Sequence, residues 1–141
     1  MTINNSFDFS RLGPIKGANV VVSGGCGGIG TEITRACIET NLNTFVLDLK
    51  DTYNLKPCPK EAKFIDFNAH EELSVEKAFN TVSGLTDGKI HAIINLVGSG
   101  NPPAPITELN VSSFDEVISR NLRSAFLISK YGIPLLKKSK S

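Results

Sequence analysis

Strong charge of either sign is the first thing this 141-residue sequence lacks, since 15 Lys and Arg against 14 Asp and Glu leave a formal net charge of +1. Nucleic-acid-binding domains carry a basic surplus that steers them to phosphate, so no nucleic acid is expected as partner. Long apolar runs are missing too. Runs such as Val20 to Val22 and Ala92 to Ile94 fall far short of the roughly 18 residues that a bilayer span needs, and Met1 to Ser10 has no hydrophobic signal core. No membrane partner is expected, and the protein is placed in the cytoplasm. Cysteine is scarce: Cys26, Cys37 and Cys58 are odd in number and lack zinc-ligand spacing. That argues against a disulfide framework and a metal site and fits a reducing compartment. The length admits one domain at roughly 150 residues each. Leu, Ile, Val and Phe make up about 30% of the chain, well above the roughly 20% below which disorder sets in, so a core is expected.

Positions 1–17 mix Asn, Ser, Gly and Pro with isolated apolar residues and read as a leader; the folded domain is expected over 18–141. Ala18 to Ser23 is a short β-branched run that stops at a glycine cluster, as a parallel strand buried on both faces would. Ile29, Ile33, Ala36 and Cys37 then recur at helical spacing, predicting a helix that ends near Asn41. Thr44 to Leu47 is the second strand, Lys63 to Asp66 the third and Ile90 to Ile94 the fourth, with a loop or short helix in Asp51 to Lys60. Before the fourth strand, Ser74 can cap a helix in which Val75, Ala78, Phe79 and Val82 share a face, with Gly84 suited to its end. After it, Ser113 and Glu116 have the spacing of a capping box, and Phe114, Val117, Ile118, Leu122, Ala125 and Phe126 form a long apolar stripe expected to pack partly on the sheet. Strands alternating with helices predict an α/β fold, a Rossmann-like doubly wound parallel sheet of order 3-2-1-4.

Ser23-Gly24-Gly25-Cys26-Gly27-Gly28-Ile29-Gly30 falls between the first strand and the first helix, where backbone N–H groups and the positive helix end can hold a diphosphate. Its glycines satisfy three dinucleotide-loop spacings at once: Gly25, Gly27 and Gly30; Gly24, Gly28 and Gly30; and Gly24, Gly27 and Gly30. The loop alone chooses none of them. Asp48 closes the second strand 18 residues after Gly30, near the roughly 20 expected of the acid that binds an adenosine ribose. A phosphate on that ribose would face this carboxylate, and like charges near 4 Å cost about 1 kcal/mol in water and about 4 at intermediate dielectric. No Lys or Arg stands among residues 25 to 27 and Leu49 follows the acid, so the expected cofactor is NAD rather than NADP.

These residues resemble the short-chain dehydrogenase/reductase family from about Ala18 to Ser141. Ser23-Gly24 with Gly28-Ile29-Gly30 is similar to the family's T-G-x-x-x-G-I-G. Asp66 followed by Phe67 looks like the Asp after the third strand that contacts the adenine amino group in relatives. Asn95-Leu96-Val97-Gly98 matches the family's N-N-A-G at its first and last positions. Asn121, followed by Phe126 and Pro134-Leu135, looks like the active-site Asn on the family's long fourth-crossover helix. The resemblance implies hydride transfer between a nicotinamide cofactor and a small-molecule alcohol or carbonyl. The extended branch, with sugar-nucleotide epimerases, uses a related loop and is the alternative within the family.

Family chemistry also needs a Tyr with a Lys four residues later. The two tyrosines here, Tyr53 and Tyr131, are followed at that spacing by Pro57 and Leu135. The chain therefore reads as the cofactor-binding half of a reductase, truncated before the catalytic pair and expected to be inactive by itself. A noncatalytic NAD-binding sensor or scaffold is the reading from another class. A fourth strand at the sheet edge, together with Ile128, Ile133 and Leu136 short of partners, predicts a homo-oligomer.

Overall fold

A computed structural model describes residues 15–139, so the expected leader lies outside the described residues up to position 14. Four parallel strands, β1 (Asn19–Ser23), β2 (Asn43–Asp48), β3 (Lys63–Asp66) and β4 (Ala92–Asn95), stand in the order β3-β2-β1-β4, as the sequence predicted. Alternate residues of β1 serve opposite faces. Val20 and Val22 pack with Cys37 of helix α1 (Gly28–Glu39), whereas Val21 joins Phe45 and Leu47 beneath α3 (Glu72–Leu85) and α5 (Ser124–Lys138). A short α2 (Lys50–Leu55) follows β2, and α4 (Val111–Ile118) precedes α5. No helix among the described residues is long and apolar enough to cross a membrane.

The buried face of α1 is only partly the predicted one: Cys37 is buried, and Ile33 packs partly buried beside it. Ile29 and Ala36 are exposed, and Gly30, Thr31, Thr34 and Cys37 face inward. The cause is how closely the helix approaches the loop before it: a Cβ on Gly30 would overlap the Gly24 carbonyl oxygen and come within 2.7 Å of Gly25 Cα. Only small side chains fit along that line, so Ile29 turns out to the open edge. The end of α1 was legible, because Asn41 takes φ of 61° and allows Leu42 N–H to reach Cys37 O at 3.0 Å and Asn41 N–H to reach Ile38 O at 2.8 Å, a Schellman closure.

Helix α3 buries Val75, Ala78, Phe79 and Val82 as predicted. Its ends are corrected. Ser74 lies inside the first turn, its Oγ accepting from Asn68 N–H at 2.9 Å, and Gly84 is helical, the left-handed turn falling on Asp87 and Gly88. The cap of α4 is likewise Asn110, whose Oδ1 accepts from Ser113 N–H at 2.7 Å, while Glu116 pairs with Arg120.

The long apolar stripe, expected to pack partly on the sheet, faces away from it. Ser119–Arg123 forms a π-helical turn between α4 and α5, and no side chain of α4 is buried. Phe114, Ile118, Leu122 and Phe126 are exposed, whereas Ser124, Leu127, Ile128 and Leu135 face the core. Leu122 and Ser124 are two residues apart, about 200° around a helix at 3.6 residues per turn, so the stripe and the buried face are opposite sides of one rod. Ile128, expected to lack partners, is 2% exposed, and Leu136 packs against the same core.

Candidate functional site

All four strands end on polar residues at one edge of the sheet, and register brings them together. Ser23 lies opposite Leu47 and Asn95, and Asp48 opposite Asp66. In a doubly wound sheet, ligands bind in the crevice at this carboxyl edge, where the strand order reverses from β1 to β4. A cavity of about 360 Å³ occupies that crevice here. Gly24 and Gly27 form one wall, Asp48, Leu49 and Thr52 the next, Phe67 to His70 a third, and Leu96 to Ser99 with Arg120 the last.

Gly24, with φ of 76°, donates its N–H to Leu47 O at 2.8 Å, and a Cβ there would stand 3.1 Å from Leu96 C. Gly28 meets nothing within 4 Å and is exposed at the start of α1. The helix has no side-chain cap and no acid in its first turn, so the N–H groups of Gly28, Ile29 and Gly30 stay open to an anion. Sterics thus distinguish the glycines: Gly24 and Gly30 are demanded by the protein, whereas Gly28 fronts open space.

Asp48 is fixed from both sides. Its Oδ2 accepts from Cys26 N–H at 2.9 Å and its Oδ1 from Leu49 N–H at 2.8 Å, leaving lone pairs on both oxygens for the cavity. Burial pushes the Cys26 thiol up to about 12, and the Asp48 carboxylate and Cys58 thiol add to the shift, so Cys26 is an inert filler of the loop. Lys50, the nearest cation after Asp48, holds its ammonium 4.9 Å from the Tyr53 ring centroid and 5.3 Å from that of Phe64. It is not among the residues that line the cavity.

Four of the residues singled out from sequence are engaged with the protein itself. Ser23 is fully buried, and its Oγ donates to Asn95 Oδ1 at 2.9 Å. Asn95 Oδ1 also accepts from Val97 N–H at 3.1 Å, so the pair ties β1 to the loop after β4. Asp66 accepts the Lys50 N–H at 2.9 Å, holding the start of α2, and is not a lining residue, whereas its neighbour Phe67 is. Asn121 sits in the π turn, its Nδ2 donating to Ser99 O and Val117 O, each at 2.8 Å. A Cβ on Gly98 would come within 2.5 Å of Asn121 Oδ1, so Gly98 permits that strap. Sequence reasoning missed Thr52, Asn68, His70 and Arg120, which also line the cavity. Arg120, directly before Asn121, and Asn68, directly after Phe67, stood beside motifs already noted.

Apolar walls with a few convergent polar groups suit a nucleotide-sized ligand. Residues 18–141 match the family model described as short chain dehydrogenase. A tropinone reductase homolog of Arabidopsis thaliana is 32% identical over 133 residues, a match that covers 89% of this chain and 50% of that protein. Among solved structures, 3-ketoacyl-(acyl-carrier-protein) reductase from Brucella melitensis, complexed with NADH, superposes with a TM-score of 0.76 at 18% identity, over 89% of this chain and 52% of that one. NADPH-bound carbonyl reductase from chicken fatty liver does so with a TM-score of 0.74 at 20% identity, over 92% and 52%. The two structures carry the fold alone. This chain spans about half the length of the curated relatives it matches.

Proposed function

Because the chain belongs to the short-chain dehydrogenase family, we propose that residues 18–141 are the cofactor-binding part of an NAD-dependent enzyme that interconverts a small-molecule alcohol and a carbonyl by hydride transfer. The observation that carries the choice of NAD is Asp48, a carboxylate lining the cavity with lone pairs to spare, with no Lys or Arg among residues 25 to 27 of the glycine loop and Leu49 directly after it. When bound, NAD supplies the hydride acceptor. The protein's own groups bind and orient: the N–H groups of Gly28, Ile29 and Gly30 take the diphosphate, and Asp48 takes the ribose hydroxyls. Phe67 flanks the adenine, Asp66 beside it, outside the lining itself, is left one carboxylate oxygen for the adenine amino group, and Gly98 lets the cofactor approach the loop that Ser23, Asn95 and Asn121 hold in place. Asn121 is the chain's contribution to the active site. We place the protein in the cytoplasm, in keeping with its three unpaired thiols, and as a homo-oligomer.

Calorimetric titration tests the cofactor. The chain should bind NAD at least about tenfold tighter than NADP, which corresponds to about 1.4 kcal/mol and lies at the low end of the repulsion near Asp48. Asp48→Asn keeps an acceptor for Cys26 N–H while removing the charge, and should erase most of that preference. Tighter binding of NADP to the unmodified chain would sink the assignment.

Residues 1–141 contain no Tyr with Lys four positions on, the pair that moves the proton in this family. The 141-residue chain should therefore bind NAD and yet give no NADH from secondary alcohols, because binding remote from the reacting atoms does not lower the chemical barrier. Reduction of NAD that Asn121→Ala abolishes would overturn this.

A further inference from the structure

Arg120 is the cation the cofactor reading left unused. Among the described residues that line the cavity it is the one Lys or Arg, facing the same space as Asp48. The guanidinium is held in place. Nη1 donates to Asn101 Oδ1 at 3.1 Å, and Nη2 pairs with Glu116 one helical turn back. Those contacts use two of its five N–H donors. The side chain is 33% exposed, so it is neither sealed in the protein nor loose in solvent.

We propose that Arg120 is a further cofactor-binding residue, which sets its guanidinium against the diphosphate of the dinucleotide; this rests on the NAD reading above. The glycine loop offers that diphosphate N–H dipoles but no formal charge, and Asp48 adds a negative one to the cavity. Arg–phosphate contacts are charge-assisted and among the strong hydrogen bonds, whereas an exposed (i, i+4) ion pair such as that with Glu116 contributes little. The phosphates therefore outcompete Glu116 for the donors that face the cavity. The Asn101 bond gives the guanidinium a fixed origin, since Asn101 Nδ2 is itself anchored to Ser113 O at 3.1 Å.

A competing role is purely architectural, with Arg120 strapping the loop after β4 to the π turn. Calorimetry with NAD, ADP and adenosine separates the two on the unmodified chain, Arg120→Met and Glu116→Gln, with circular dichroism melts confirming that each is folded. If Arg120 meets the diphosphate, Arg120→Met weakens NAD and ADP by about tenfold and adenosine by less than about twofold, and Glu116→Gln tightens ADP. Equal losses for all three ligands, or none, would overturn the assignment while leaving the NAD reading intact. An unmodified, folded chain that binds neither NAD nor ADP would instead overturn the reading beneath it. Should Arg120→Met fail to fold, Glu116→Gln decides alone, because a mere strap predicts no tightening.

Discussion

Gly30→Ala should lower stability by about 3 kcal/mol or more and abolish nucleotide binding. The added Cβ would overlap the Gly24 carbonyl oxygen and crowd Gly25 Cα, both backbone, so no side-chain rotation relieves it. The helix must move away from β1, taking with it the N–H groups of its first turn that are proposed to hold the diphosphate. For a chain of this size the melting temperature should drop by roughly 10 °C or more. Gly28→Ala is the control within the same loop. Its Cβ would meet nothing, so its melting point should stay near that of the unmodified chain, while NAD binding weakens as the methyl enters the space offered to the diphosphate. Thermal unfolding with parallel calorimetry separates them. A Gly30→Ala protein that melts like the unmodified chain would mean that the loop and helix do not pack as described.

The contrast between these two glycines also shows where sequence reading stops. Strand positions and the buried face of α3 were legible, because β-branched runs and a 3.6-residue period are local signals. Asp48 was legible too, since chain distance from the glycine loop fixes its place at the edge. Which glycines are sterically required was not, because that depends on how near α1 comes to β1 and β4. The same close approach explains why Ile29, apolar and in phase, points outward. The π turn at Ser119–Arg123 has no proline or glycine to announce it, and α4, whose stripe has the period of a buried face, buries no side chain. Ser23 and Asn95 carry motif positions, yet their hydrogen bonds to each other appear only once β1 and β4 are paired.

The outward stripe on α4 and α5 leads to the second large effect. Phe114, Ile118, Leu122 and Phe126 are between 40% and 65% exposed along one side of the rod, and β4 forms an edge of the sheet. Contiguous apolar surface of this kind favours burial against a neighbour at roughly 25 cal/mol per Å². The neighbour proposed is a second copy of this chain, because in a two-fold pair the stripe meets its own complement. Sedimentation velocity across a concentration series should show dimers at micromolar concentration. Leu122→Lys with Phe126→Glu removes two apolar anchors from each copy, and at roughly 1.5–3 kcal/mol for each fully buried side chain the dissociation constant should rise by at least about a hundredfold. Both side chains are more than 60% exposed, so melting of the monomer should stay within about 1 kcal/mol of the unmodified chain. The edge of β4 offers the competing contact, and Ile93→Lys tests it. If the double variant remains as dimeric as the parent while Ile93→Lys is monomeric, the copies join edge to edge and the stripe is not the interface; if the unmodified chain is monomeric at every concentration, self-association is refuted altogether.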